Sequence, residues 1–456
     1  MKKYEDYKRL IKFIFSFNAV FLVVGIYWFM WNGYYNKIIV APFWRKGNWL
    51  MVALYAVLMV FFYRTYGGFK IAYLKKGNLI WSQVLSIIFV NVITYLQIAL
   101  LDKRFHPVYP MAIMSLVQFG TVAVWANMFQ LIYQKLFPPK KLLLVYGERS
   151  AFHLRDKINS REDKYYLAGA IHIKRGVEAI LKEIQDYDAV IIGDIPAHER
   201  NLLLKQCFER SVRTYAVPKI SDILMQTSSA LDIFDSPLFL SRNDGLQIEQ
   251  RFVKRTMDIV LSLTGLILSS PFFVVIALMI KCTDGGPVFY RQNRLTQDRK
   301  VFSICKFRTM IQDAEKATGA RLAGENDDRI LPVGKFLRRT RLDELPQLWN
   351  ILKGDMSLVG PRPERPELAA EIEKEIPEFS YRLKVKAGLT GYAQIYGKYN
   401  TTSYDKLKLD LTYIRNYSVF LDLKMILMTP KIMFMKESTE GVKERTGEER
   451  VEEFKI

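Results

Sequence analysis

Apolar residues in the first third of the chain come in runs too long for a soluble core. Leu10–Trp31 and Leu79–Leu101 each meet the roughly 20 residues needed to cross hydrocarbon. The run "NWLMVALYAVLMVFFY" is shorter and extends into "RTYGG", while "MAIMSLVQFGTVAVWANMFQLIY" carries Gln118, Asn127 and Gln130. Those amides predict that one face of the fourth helix packs against protein. Together the runs predict a membrane protein whose residues 1–138 form a four-transmembrane-helix bundle. The first run is too long for a cleavable leader, and no small-residue cleavage site follows it.

Beyond residue 138 the pattern changes to short apolar runs alternating with charged helical stretches. "KKLLLVYGERS", "YDAVIIGDIPAHERNLLLKQCFER" and "VRTYAVPKI" read as strands followed by turns and helices. This alternation predicts a Rossmann-like α/β module over residues 139–225. Gly147 stands alone, with Glu148, Arg149 and Ser150 where a phosphate-cradling loop needs further glycines, so no dinucleotide is expected there. A linker over 226–250 leads to an α/β catalytic domain, residues 251–456. That domain opens with a fifth apolar run, Thr256–Ile280, interrupted by Ser270 and Pro271. Proline removes a backbone donor and crowds the preceding turn. With Arg251, Lys254 and Arg255 before the run and Lys281 after it, a re-entrant helix over 252–280, bent at Ser270-Pro271, fits better than a straight span.

Charge orients this plan. The chain carries a formal net charge of +20, which favours anionic partners. Lys2, Lys3, Lys8 and Arg9, then Arg64, Lys70, Lys75 and Lys76, then Lys135, Lys140 and Lys141 flank one end of the four runs. The other end holds only Lys37, Arg45, Lys46, Lys103 and Arg104, so both termini of the bundle are expected in the cytoplasm. The three cysteines and four histidines lack the spacing of a disulfide framework or an imidazole metal site. A bound metal would take oxygen ligands, as a hard cation such as Mg²⁺ does. The four spans hold almost no ionisable residue at mid-depth, which counts against a membrane transporter. No nucleic-acid-binding module accompanies the charge, so no nucleic acid partner is expected.

The candidate chemistry lies in "RLDELPQLWNILKGDMSLVGPRP", Arg341 to Pro363. Leu345, Leu348, Trp349 and Leu352 recur at helical spacing, and Pro346 is tolerated only in a first turn, so a helix is expected to start near Asp343. A helix N-terminus favours carboxylates, and adjacent residues there point in different directions. Asp343 followed by Glu344 also reads as a plain helix cap. The neighbouring Arg338, Arg339, Arg341 and Arg362, with Lys306 and Arg308, exceed what two acids need and suit phosphate oxygens instead. Arg338 and Arg341 are expected to keep Asp343 ionised. Gly388, Gly391 and Gly397, interleaved with Tyr392 and Tyr396, are candidates for a loop packed close to a ligand.

"KFRTM", "LDELPQLWNILKGDMSLVGPRP" and "GLTGYAQIYG", in this order after a Ser-Pro-broken apolar helix, resemble the bacterial polyprenyl-phosphate sugar-1-phosphate transferases, the monotopic phosphoglycosyl transferases. The resemblance covers roughly Arg251 to Thr429, and the bundle and middle module resemble the larger members. It implies transfer of a sugar 1-phosphate from a nucleotide sugar, usually a UDP-sugar, to undecaprenyl phosphate. UMP is released, and the step initiates exopolysaccharide, capsule or O-antigen synthesis. It further implies Mg²⁺, a covalent phosphosugar–aspartate intermediate, and the cytoplasmic (inner) membrane of a bacterium, with the catalytic domain on the cytoplasmic side. Asp343 falls at the nucleophile and metal ligand, and Glu344 at its acidic partner. Lys306, Arg308, Arg338, Arg362, Pro363 and Gln394 fall at substrate-binding positions. A homodimer is compatible with the pattern, and an inactive membrane scaffold is the rival to an active enzyme. Three positions depart from the resembled family: Thr296 and Arg299 stand at the places of turn glycines in "RLTQDRKVF", and Ala387 stands where a proline is common.

Overall fold

A computed structural model describes residues 5–147, 152–231, 235–241, 245–311, 329–397 and 401–433. The chain divides into two compact units, Met1–Lys219 and Ile220–Ile456.

The first unit begins with four long helices, Lys8–Met30, Arg45–Tyr66, Lys76–Asp102 and Tyr109–Leu136. The first continues through a wider π-type turn at Trp31–Tyr35 to Ile38. All four are long and apolar enough to cross a membrane. The first packs on the second and fourth, and the third packs on the second and fourth. Their shared interior is held by a polar knot. Tyr55 donates to Asn91 Oδ1 at 2.7 Å, and Asn91 Nδ2 donates to Gln118 Oε1 at 2.9 Å and to Ser115 Oγ at 2.8 Å. Gln118 Nε2 returns bonds to Tyr55 Oη at 2.9 Å and to the Val23 carbonyl at 3.1 Å. Every amide proton named here finds an acceptor, which is what makes buried amides tolerable in a lipid-embedded core. Gln118 is thus buried in the protein-facing stripe as its sequence position predicts. Asn127 is not: it is exposed and its side chain bonds back to the Ala123 carbonyl.

The unit continues into a four-stranded parallel sheet in the order Tyr165–His172, Lys140–Tyr146, Ala189–Ile192, Thr214–Ala216. The central strands are buried on both faces, as expected of a parallel sheet covered by helices. The edge strand Tyr165–His172 has no counterpart in the sequence reading, because its alternating burial leaves only a weak apolar run. Gly147 has a backbone reason to be glycine. A Cβ there would lie 2.8 Å from the Asp194 carbonyl oxygen, where the next strand's loop passes. Residues 148–150, expected to obstruct a dinucleotide, lie outside the described residues.

The second unit opens with the helix Ile220–Gln226, whose Ile220 and Ile223 pack with Leu295, Phe379, Leu407 and Leu411. The stretch read as a linker contains a small antiparallel pair, Ser229–Leu231 with Leu238–Leu240. A single helix then runs from Ile248 to Asp284, 37 residues and so about 55 Å at 1.5 Å per residue. It buries one stripe (Lys254, Asp258, Ser262, Ser269, Ile276, Ile280) and exposes apolar side chains elsewhere, including Ile267, Leu268, Phe272 and Val274. Its first turns are tied down by polar contacts. Lys254 pairs with Asp422 at 2.5 Å, Arg255 donates to the carbonyls of Ile351 and Leu352, both at 2.7 Å, and Asp258 accepts from the Leu358 amide at 2.9 Å. Pro271 cannot bond the carbonyl of Ile267 four residues earlier, and the Ser270 hydroxyl donates to that carbonyl at 2.8 Å instead. The Ser-Pro pair therefore breaks the backbone ladder and supplies the replacement bond.

Behind this helix lie the hairpin Phe289–Leu295/Val301–Phe307, the helices Pro332–Thr340 and Gln347–Lys353, and the parallel pair Ser357–Val359/Gly388–Thr390. Thr296 and Ala387, which depart from the resembled pattern, meet here. Thr296 Oγ1 donates to the Asp355 carbonyl at 2.9 Å and accepts from the Ala387 amide at 3.1 Å, a bond a proline at 387 could not make. The hairpin turn is sharp without glycine: Asp298 and Arg299 both adopt left-handed φ, +56° and +60°.

Candidate active site

The acid pair sits in a tight 3₁₀ turn, Leu342–Glu344, between the helices Pro332–Thr340 and Gln347–Lys353. The α-helix proper begins at Gln347, not near Asp343. The reversal is made by Arg341, in the left-handed region at φ +57°, where it ends the preceding helix. The buried face of Gln347–Lys353 is also offset from the apolar spacing. Gln347, Leu348, Asn350 and Ile351 are buried, whereas Trp349 is 62% exposed. Asn350 explains the offset: its Oδ1 accepts from the Cys305 amide at 3.0 Å and its Nδ2 donates to the Ser303 carbonyl at 2.9 Å. That clamps the helix to the strand bearing Lys306. A polar residue inside the apolar stripe "LWNIL" was the available sign of this positioning residue.

Asp343 and Glu344 are both buried, yet their surroundings differ. Glu344 Oε1 receives Lys306 Nζ at 2.8 Å, Arg362 at 3.4 Å and Arg341 at 3.7 Å. Burial alone would weaken this acid, but the three cations outweigh it and hold its carboxyl well below the usual carboxylate range. Asp343 Oδ1 is buried with no hydrogen-bond partner among the described residues. Burial, then the neighbouring Glu344 charge, push its carboxyl up to about 6, against Lys306, Arg341 and Arg338. The expectation that the arginines would pair Asp343 and strengthen its acidity is thus reversed, because the cations converge on Glu344. At neutral pH Asp343 still exists mainly as the carboxylate, with an uncommitted oxygen.

The structure brings Lys306 and Arg362, with Arg341, to the acid pair. The loop carrying Arg362 is held by its backbone: Arg382 donates to the Arg362 carbonyl at 2.9 Å and Arg294 to the carbonyl of buried Pro363 at 3.2 Å. Arg338 Nε donates to Thr309 Oγ1 at 2.8 Å, while its charge still acts on Asp343. Arg308 is buried and committed elsewhere. Its guanidinium forks onto Asp284 at the end of the long helix, with Nε on the Pro287 carbonyl at 2.6 Å. Gln394 bonds within its own turn, Nε2 to the Leu389 carbonyl at 3.4 Å, and its buried Oε1 lacks a partner among the described residues. The glycines expected to approach a ligand instead let two backbone segments touch. A Cβ on Gly388 would meet the Gly360 nitrogen at 2.1 Å, and one on Gly391 the Gly360 oxygen at 2.1 Å. They lock "GLTG" against the loop that carries Arg362.

The donor set accommodates Mg²⁺ in one respect. Asp343 Oδ1 is an unpartnered hard oxygen, and this ion commonly takes one or two carboxylates plus phosphate oxygens. Among the described residues no group of three His, Cys, Asp or Glu side chains could enclose a metal without help from a substrate.

Residues 249–436 match the family of bacterial sugar transferases. The chain is 35% identical over 257 residues to a UDP-N-acetylgalactosamine-undecaprenyl-phosphate N-acetylgalactosaminephosphotransferase of Aeromonas hydrophila, covering 53% of this chain and 58% of that protein. It is 36% identical over 239 residues to an undecaprenyl-phosphate galactose phosphotransferase of Salmonella typhimurium, covering 48% and 49%. Against a UDP-glucose:undecaprenyl-phosphate glucose-1-phosphate transferase of Klebsiella pneumoniae the identity is 42% over 213 residues, covering 45% and 43%. The chain therefore spans about half the length of the curated relatives it matches.

Proposed function

We propose, from the premise that residues 249–436 belong to the bacterial sugar transferase family, that this chain transfers a sugar 1-phosphate from a UDP-hexose to undecaprenyl phosphate. The observation that carries the reading is the split between the two adjacent carboxylates. Glu344 is saturated by cations, and Asp343 presents a buried, unpartnered oxygen. In the first displacement that oxygen attacks the sugar-bearing phosphorus, the bond to the bridging oxygen breaks, and UMP leaves with the electron pair. In the second, an oxygen of the lipid phosphate attacks the same phosphorus and Asp343 departs as the carboxylate. Neither displacement needs a net proton, which suits a nucleophile that is already ionised and whose neighbour Glu344 is held as the carboxylate. Glu344 holds Lys306 and Arg362 at the pair, where their charge favours the gathering negative oxygens. Mg²⁺, for which Asp343 is the candidate protein ligand, would neutralise donor charge when bound.

The membrane arrangement follows from the same unit. Both ends of the long apolar helix are anchored to one folded body, through Lys254, Arg255 and Asp258 near its start and through Asp284 at its finish. A straight span would carry those ends to opposite faces, so this supports a helix re-entering at Ser270-Pro271. Exposed Trp349 and Phe336, on the helices that flank the acid pair, suit a site at the lipid interface. On this reading the first helices are a transmembrane four-helix bundle, the parallel sheet is a Rossmann-like module, and the catalytic domain faces the cytoplasm at the inner membrane.

Intact-mass spectrometry of the purified full chain, given UDP-sugars without lipid acceptor, tests the core of the proposal. A phosphosugar adduct that localises to Asp343 and disappears on adding undecaprenyl phosphate is expected. Transfer without any adduct, or an adduct persisting in Asp343→Asn, refutes it.

A further inference from the structure

One end of the four-helix bundle gathers more cations than acids. Lys12 Nζ and Lys164 Nζ lie over the same Tyr73 ring, 4.6 Å and 4.9 Å from its centroid. Lys8 Nζ stands 4.6 Å over Phe137. The nearby carboxylates are already committed. Glu5 takes Lys140 at 2.9 Å, Arg213 at 3.4 Å and Lys8 at 3.6 Å, and Asp163 takes both arms of Arg161, at 2.8 Å and 3.0 Å. Arg161 also reaches the Tyr73 carbonyl, which fixes the turn carrying the ring. Among the described residues, no acid pairs directly with Lys12 or Lys164. Burial, then Arg161, Lys12 and Lys8, push the Lys164 ammonium down to about 7, and Asp163 only partly offsets them. Like charges crowded this way lower their energy when an anion arrives between them.

We propose that Lys12 and Lys164, both over the Tyr73 ring, hold the phosphate headgroup of an anionic membrane lipid, a binding site other than the acid pair. Two observations favour a lipid over a soluble anion. The cations sit where the first apolar helix begins, and Phe13 and Phe17 beside them are 68% and 64% exposed, a surface for acyl chains. The cleft next to Lys164 is walled mostly by apolar side chains, among them Leu74, Leu79, Phe129 and Tyr133, with Lys76 joining Lys164 and with Asp163, already committed to Arg161, as its acid. Basic groups at the interfacial end of a helix bundle recognise lipid headgroups through this combination.

The test uses the full chain in neutral detergent. Thermal unfolding is followed on adding phosphatidylglycerol, phosphatidylcholine or inorganic phosphate, and native mass spectrometry counts retained lipid. Phosphatidylglycerol is expected to raise the midpoint by several degrees, and the other two not to. Lys12→Gln/Lys164→Gln is expected to need at least threefold more phosphatidylglycerol for half the effect and to retain one lipid fewer. Lys12→Arg/Lys164→Arg, which keeps the charge, is expected to behave as wild type, and each single glutamine variant to fall between. An unchanged response in the double glutamine variant, or no response in wild type, overturns the proposal. Inorganic phosphate reproducing the full shift overturns the lipid assignment. If the double variant fails to fold, equal lipid retention by wild type and both single variants has the same force.

Discussion

Asp343→Asn is expected to abolish transfer and, at neutral pH, to make the protein more stable. The carboxyl is raised from 3.8 to about 6 in the folded state, and at roughly 1.4 kcal/mol per unit this corresponds to about 3 kcal/mol of destabilisation by the ionised group. The asparagine amide keeps part of the desolvation cost, because it too enters a cavity where Oδ1 has no partner, so the net gain expected is about 2 kcal/mol. For a domain of this size that corresponds to a midpoint roughly 4–8 °C higher. The pH dependence carries the sign. Because the folded value lies above the unfolded one, the penalty on wild type is complete above pH 6 and shrinks as pH falls toward 4. It vanishes once both states are protonated. Full-length wild type and variant, melted in the same detergent at pH 7.5 and at pH 4.5, supply the comparison, with UMP release measured alongside. If the residue were only a helix cap, asparagine would cap as well, and neither stability nor turnover would change much. A variant that melts at or below wild type at pH 7.5, or an advantage that survives undiminished at pH 4.5, refutes the desolvation argument.

Wild-type turnover is expected to fall as pH drops through about 6, and Glu344→Gln to move that acid limb lower, since it removes the charge repelling ionised Asp343; a limb that stays put in the variant contradicts the coupling. Thr296→Val should cost about 1–3 kcal/mol by leaving the Ala387 amide and the Asp355 carbonyl unpaired, and less in an Ala387→Pro background, which has no amide to orphan. A double-mutant thermal cycle checks this, and equal costs in both backgrounds would count against it. Pro271→Leu restores a donor to the Ile267 carbonyl and should straighten the helix, lowering transfer more than folded yield. Exposed Cys282, just past that helix's apolar run, reports the side: labelling from the cytoplasm in wild type and loss of it in the variant are expected, and wild-type labelling from outside refutes the re-entrant reading.

What the sequence could determine by itself was whatever local pattern decides. Long apolar runs have only one way to satisfy their backbone groups in lipid, so the four helices and the fifth were legible, as was buried Gln118. Motif order likewise pointed to Asp343, Glu344, Lys306 and Arg362 before any contact was known. What tertiary structure decided was which charge meets which. Arg308 looked interchangeable with Lys306, two residues away, yet it falls just past the strand Val301–Phe307 that carries Lys306, and Arg308 turns to Asp284 while Lys306 turns to Glu344. The acidity of Asp343 went the opposite way from its local setting, because burial and the neighbouring carboxylate are long-range sums over the folded environment. The same holds for Thr296 and Ala387, 91 residues apart and each only an oddity in one dimension, which become an acceptor and its donor once the two segments meet. Local propensity acts over a few residues, whereas pairing of charges and amides is settled by distances that only the packed chain sets.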